Sequence, residues 1–140
     1  MTDTRTHIWP CFRYDDARAA IRFLVDVLGF TEAAVYGDGD RVDHAELRWP
    51  EGGGVMLGSV QRVVPQAPLL AESDSALADL HAGVGAAYVV TDDPDVIHER
   101  VVAAGGNIVH PLQDEDYGSR GFTCRDPEGV HWSFGTYSGT

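Results

Sequence analysis

Three landmarks in this chain recur at one constant separation. Asp15-Asp16 and Asp92-Asp93 lie 77 residues apart, as do Gly29 and Gly106, and Gly58 and Gly135. The neighbours of the last pair agree in pattern: Val55-Met56-Leu57-Gly58-Ser59 against Trp132-Ser133-Phe134-Gly135-Thr136. One offset that holds at a helix start, a helix stop and a final strand marks an internal repeat. A short repeat unit that cannot bury its own apolar face must pair with another. Any acceptable fold must therefore consist of two like halves.

Each half reads the same way. His7–Tyr14 is aromatic-rich and strand-like, with Pro10 pointing to an edge or a bulge. Asp15-Asp16 offers an N-cap to a helix over Ala17–Leu28. Apolar residues Ala20, Ile21, Leu24, Val27 and Leu28 fall on one helical face, and Gly29 stops the helix. Strands are predicted at Phe30–Tyr36, Val42–Trp49 and Val55–Val60, with a turn at Gly37–Asp40. In the second half a strand at Ala86–Thr91 precedes a helix from about Asp95 to Ala104, opened by Pro94 in its first turn. Strands follow at Asn107–Pro111, Gly121–Arg125 and His131–Tyr137. Asp126-Pro127-Glu128-Gly129 forms a tight turn. The reading is an α+β chain of two tandem βαβββ modules, residues 1–61 and 85–140. A linker at 62–84 joins them, with a short helix over Ala76–His81. His110, Asp114, Asp116, Tyr117 and Arg120 fall in a long loop that could act as a lid.

Charge and apolar content exclude several functions. With 22 acidic and 10 basic residues the net charge is −12, whereas phosphate backbones need a basic surface, so nucleic acid is not expected. The same charge is repelled by an anionic membrane face, and no apolar run reaches the ~20 residues that span a bilayer. Met1–Thr6 has no apolar leader core, so the expected location is the cytoplasm. Cys11 and Cys124 are too few for a disulfide framework and read as reduced core residues. An acidic chain does attract cationic small molecules.

The order of elements, the Asp-Pro-Glu-Gly turn, the following His131–Tyr137 strand and the opening Tyr14–Leu24 with Leu28-Gly29-Phe30 resemble the vicinal oxygen chelate superfamily. Its members include glyoxalase I, extradiol dioxygenases, fosfomycin-modifying enzymes and bleomycin-resistance proteins. The metal-poor bleomycin-resistance and PhnB-like branches are the most similar. The resemblance implies curved mixed sheets around a ligand-binding cup, with the halves pairing either within one chain or across a homodimer, the commonest symmetric assembly, in which two equivalent cups would each draw on both chains. In the metal-using members, four His, Gln or Glu ligands come from the first and last strand of each module. Carried onto this chain, those positions are Trp9, Met56, Ala86 and Ser133, so the metal site looks deleted and no cofactor is expected.

Alternation along strands gives a second estimate of the cup. His7, Trp9, Cys11 and Arg13 would face it, with Ile8 and Phe12 against the helix. Ala45, Leu47 and Trp49 would cover the helix, leaving His44, Glu46 and Arg48 on the open side. Ala86, Tyr88 and Val90, and likewise His131, Ser133, Gly135 and Tyr137, would share the cup face, with Trp132 and Phe134 in the core. The candidate ligand-binding set is thus Trp9, Met56, Tyr88 and Tyr137 for apolar area, and His44, Glu46, Arg48 and Ser133 as polar handles. Largely apolar walls with a few placed polar groups are typical of small-molecule sites.

Two functions follow. One is sequestration of an aromatic or cationic compound, such as an antibiotic, without a metal. The other is a lyase, isomerase or dioxygenase in which Glu46 or His44 moves a proton. A divalent ion held by His44 and Glu46, with His7 or His131, is the corresponding metal alternative.

Overall fold

The computed structural model describes residues 8–60 and 82–139. Within these residues the chain forms two four-stranded mixed sheets. The first contains β1 (Cys11–Tyr14), β2 (Thr31–Asp38), β3 (Arg41–Arg48) and β4 (Gly54–Ser59), in the order β1-β4-β3-β2. The second contains β5 (Ala86–Val90), β6 (Asn107–Asp114), β7 (Arg120–Arg125) and β8 (His131–Gly135), in the order β5-β8-β7-β6. In each, the first and last strands pair parallel and the rest antiparallel. Cys11↔Met56↔Glu46 in the first sheet is repeated as Tyr88↔Ser133↔Thr123 in the second. The 77-residue offset therefore holds down to strand register. The predicted helix over Ala76–His81 lies outside the described residues. No helix among those described is long and apolar enough to cross a membrane.

The first helix, α1 (Ala17–Arg22), starts where the Asp16 carboxylate accepts the Ala19 N–H at 3.0 Å. It continues without a break into a π-helical stretch, Phe23–Leu28, where the Leu24 carbonyl accepts from both Gly29 and Phe30. Gly29 turns left-handed at φ 100°, a conformation that costs glycine little and other residues more. The second helix, α2 (Pro94–Ala103), opens on Pro94, whose missing N–H costs nothing in a first turn.

Both helices and both inner sheet faces share one core. Trp132 sits at its centre, 5.3 Å from the Phe12 ring and 5.5 Å from Phe30, while Trp49 packs on Phe30 and Phe134. The two modules are thus joined through aromatic side chains. Polar bonds reinforce the seam. The Trp49 indole N–H donates to the Val90 carbonyl at 3.1 Å. Buried Asp126 accepts the Tyr14 hydroxyl at 2.6 Å and the Trp132 indole at 3.0 Å through one oxygen. Its other oxygen takes the N–H groups of Glu128, Gly129 and Val130. Burial and the Asp126 charge push the Tyr14 hydroxyl well above the usual phenol range. The Glu128 carboxylate accepts the N–H groups of Asp15 and Asp16 at 2.7 and 2.8 Å, so a turn of the second module sits against the start of the first helix.

Four details differ from the sequence reading. β1 begins at Cys11 rather than His7, because Pro10 has no N–H to add to the ladder; its carbonyl still accepts from Met56 at 2.9 Å. Ile8, expected against the helix, is 85% exposed. Cys124 is fully buried, as expected, but Cys11 is half-buried on the outer face of its sheet. The expected lid loop is mostly strand. His110 and Asp114 belong to β6, and Arg120 opens β7, with Asp114 paired to Arg120. Pro111 is accommodated at a register shift between His110 and Gln113. Only residues 115–119 remain as a turn, closed by the Glu115 N–H on the Ser119 carbonyl at 2.7 Å.

Candidate functional site

Alternation places the candidate residues as the sequence implied. On β3, Ala45 and Leu47 are fully buried, while His44 and Glu46 are half-buried on the opposite face and Arg48 is exposed there. On β8, Trp132 and Phe134 go inward and Ser133 outward. Each sheet thus presents an outer face free of the core.

The outer face of the first sheet is charged. His44 donates from Nε2 to Glu46 Oε2 at 2.9 Å, and the Tyr36 ring stacks on His44 with centroids 6.3 Å apart. The Arg48 guanidinium lies 5.4 Å from the Trp9 ring centroid, a cation–π contact. Gly54, between them in register, leaves room for that indole: a β-carbon there would meet it at 2.8 Å. Arg13 lies across Gly58 and donates to the Ser59 carbonyl at 3.3 Å. With these groups in place, the hollow lined by Cys11, Arg13, His44 and Met56 is only about 10 Å³.

The outer face of the second sheet is hydroxyl-rich and aromatic. Ser133 and Thr123, register partners, share a hydroxyl–hydroxyl bond of 2.7 Å. Tyr88 donates to the Tyr137 carbonyl at 2.7 Å, and the Tyr117 ring packs edge-on to Tyr137 at 5.8 Å. A hollow of about 210 Å³ lies here, lined by Tyr88, His110, Tyr117, Gly121, Thr123 and Ser133 among others. Arg120 at its edge holds Asp95 through two nitrogens at 2.8 and 3.1 Å, and Asp114 at 3.1 Å. The paired guanidinium keeps the Asp95 carboxyl below the usual carboxylate range. Near the strand end, Arg125 donates to His131 Nε2 at 3.3 Å.

The structure gathers the predicted residues into two groups. His44, Glu46, Arg48, Trp9 and Met56 lie on the first sheet; Tyr88, Ser133 and Tyr137 lie on the second. The two hollows share no lining residue. Strand alternation did not single out Thr123, His110, Gly121 or Tyr117 as one surface. The register Thr123↔Ser133 could have, since Thr123 stands 77 residues after Glu46.

Comparison with known proteins fits this geometry. The sequence profile of the Glyoxalase/Bleomycin resistance protein/Dioxygenase superfamily matches residues 7–134. The chain belongs to that superfamily. An uncharacterized protein of Mycobacterium bovis is 32% identical over 127 residues, covering 90% of this chain and 80% of that protein. The crystal structure of TioX from Micromonospora sp. ML1 superposes with a TM-score of 0.72 at 30% identity, covering 94% of this chain and 98% of TioX. A glyoxalase/bleomycin resistance protein/dioxygenase domain from Frankia sp. EAN1pec shares the fold, with a TM-score of 0.59 at 21% identity over 96% of this chain and 97% of that one.

Metal-using members of the superfamily set the test for a divalent ion. Of the four carried-over positions, Ala86 offers no donor and the Trp9 ring lies under Arg48. The Met56 thioether is a soft ligand ill-suited to hard ions, and the Ser133 hydroxyl is engaged with Thr123. This donor set does not fit a divalent cation. At the relocated site His44 and Glu46 bond each other, His131 stands on the other sheet bonded to Arg125, and His7 lies outside the described residues. Among the described residues, no three His, Cys, Asp or Glu side chains come together as a metal site.

Proposed function

We propose that this chain is a small-molecule-binding protein that sequesters an aromatic or cationic compound, such as an antibiotic, without a metal. The observation that carries the reading is the outer face of the second sheet. Two partly exposed tyrosines, Tyr88 and Tyr117, line a hollow there with a third, Tyr137, packed beside them, and the same hollow is lined by Ser133, one of the positions where superfamily enzymes would place a metal ligand. Tyrosine rings give large contact area at little entropic cost and attract cations to their faces. The net charge of −12 favours a cationic solute further. The proposed working form is a cytoplasmic homodimer. The charged face of one sheet and the aromatic face of the other lie in separate hollows within one chain, and a second copy would bring unlike faces together into two equivalent cups. Native mass spectrometry on protein purified without chelators tests this. A dimer carrying an organic adduct and no metal supports it; one divalent ion per cup overturns the metal-free reading.

A second reading rests on the His44–Glu46 bond of 2.9 Å, buttressed by Tyr36. A carboxylate hydrogen-bonded to an imidazole is a proton-transfer pair, which suits a lyase, isomerase or dioxygenase. Glu46→Gln discriminates. If the variant folds, binds like the parent and shows no loss of turnover on any superfamily substrate the parent converts, the pair has no catalytic part.

A further inference from the structure

The seam between the modules is filled at one end and open at the other. At the filled end the Phe12 ring packs 5.3 Å from Trp132 and lies against Gly85, where a β-carbon would meet it at 2.8 Å. Phe12, Trp132 and Val130 are all buried there. The positions 77 residues from these three are Val89, Val55 and Gly53. Each is smaller than its counterpart, and Val89 is only half-buried. Ile8, the counterpart of Gly85, is turned out to solvent. Trp49, larger than its counterpart Asp126, supplies an aromatic wall but does not fill the space. The missing volume is a hollow of about 440 Å³, lined by Ile8, Pro10, Trp49, Gly53, Val55 and Val89 among others.

This hollow follows the edge of a strand. Four consecutive residues of β5, Ala87–Val90, line it, whereas one face of a strand presents only alternate residues. β5 ends its sheet. Its ladder to β8 uses the odd-numbered residues: the Gly85 carbonyl accepts from His131, and the Thr91 N–H donates to Gly135. The residues between them direct N–H and C=O away from β8. Of these, the Val90 carbonyl takes the Trp49 indole. Among the described residues nothing pairs with the backbone N–H and C=O of Ala86 or Tyr88. An unpaired edge is a template for a further strand.

We infer that the open end of the seam is a docking site for an extended peptide, which adds a strand to β5 through Ala86 and Tyr88 and places an aromatic side chain in the hollow, as Phe12 fills the other end. In strand addition the main-chain bonds give affinity and a pocket for one side chain gives selectivity. The net charge of −12 favours a peptide with basic flanks. The site lies on the core side of the seam, apart from the outer sheet faces, so it stands or falls independently of the small-molecule reading.

The test titrates the full chain calorimetrically with the peptide acetyl-KAFAK-amide. One control peptide is N-methylated at its three central residues, which removes their donors; the other has serine in place of phenylalanine. The parent should bind the first peptide roughly tenfold more tightly than either control, since each loses main-chain bonds or apolar burial. Val89→Phe, which rebuilds the side chain of the filled end, should abolish binding and raise the unfolding midpoint. Ile8→Ser, at an 85% exposed position, should weaken binding and carries the test if Val89→Phe fails to fold by circular dichroism. Equal affinity for the three peptides, no detectable binding of any, or affinity unchanged in a folded Val89→Phe or in Ile8→Ser overturns the assignment. A native mass spectrum showing a dimeric parent and a monomeric Val89→Phe, with peptide bound to neither, gives the open end to a second copy of the chain and overturns it as well.

Discussion

The Tyr14 hydroxyl donates to Asp126 at 2.6 Å across 112 residues of chain, with the tyrosine wholly buried. The same carboxylate takes four further N–H groups. Asp126 is therefore where the turn of the second module, the central tryptophan and the first strand meet. Tyr14→Phe deletes one hydrogen bond to a buried charge, and thermal denaturation should show a loss of ~1.5–3 kcal/mol. Asp126→Ala strands several buried donors at once and should cost more than about 4 kcal/mol. A Tyr14→Phe protein as stable as the parent would remove this bond from the account of the seam.

Alkaline pH should loosen the fold. Tyr14 and Cys124 both hold their protons more tightly when folded, in each case mainly through burial and then through Asp126. The thiol is pushed up to about 12 from an ordinary 9.0, and the phenol rises from 10.0. A raised folded value means the folded chain binds more protons than the unfolded one between the two values, so stability falls with rising pH there. Their contribution is complete below about pH 8.5 and declines from about pH 9 through 12 and beyond. Urea midpoints measured across pH 8–11 should fall in the parent and fall less steeply above pH 10 in Tyr14→Phe. Parallel slopes would discount the tyrosine.

The two thiols should differ in reactivity. Cys124 is fully buried with its proton held tightly, whereas Cys11 is half-buried on an outer sheet face. Thiolate fraction and access control alkylation. Iodoacetamide at pH 8 should label one thiol per folded chain, located at Cys11 by peptide mass, and both after unfolding. Equal labelling of both in the native protein would contradict the packing around Cys124.

Trp49 bridges the modules by shape and by one hydrogen bond. Trp49→Phe should cost ~2–4 kcal/mol, read as a lowered unfolding midpoint, from lost packing volume and an unanswered Val90 carbonyl. A midpoint within error of the parent would show that the carbonyl finds another donor.

The repeat made the architecture legible before any coordinates, because one offset fixes element order and which strand faces agree. Alternation then sorted Ala45 and Leu47 from His44 and Glu46 correctly, since a two-residue period leaves no third choice. What stayed hidden depends on contacts between distant strands. Ile8 looked like a core residue by parity, but Pro10 ends the ladder before parity applies. The hydroxyl pair of Ser133 and Thr123 required strand register, which sequence alternation alone does not supply. The outer end of the β6–β7 hairpin read as loop because Pro111 and a run of acids mask strand character that the pairing of Gln113 and Asp114 to Gly121 and Arg120 restores.

Protein synthesis runs in one direction, and the Glu128 clamp gives that direction a consequence. The backbone N–H groups at the start of α1 are satisfied by a carboxylate made more than a hundred residues later. Until that turn leaves the ribosome, the first module has its helix and its strands but an open socket where its second half belongs. A nascent chain stalled before residue 128 would thus present an unfinished apolar seam to whatever is nearby.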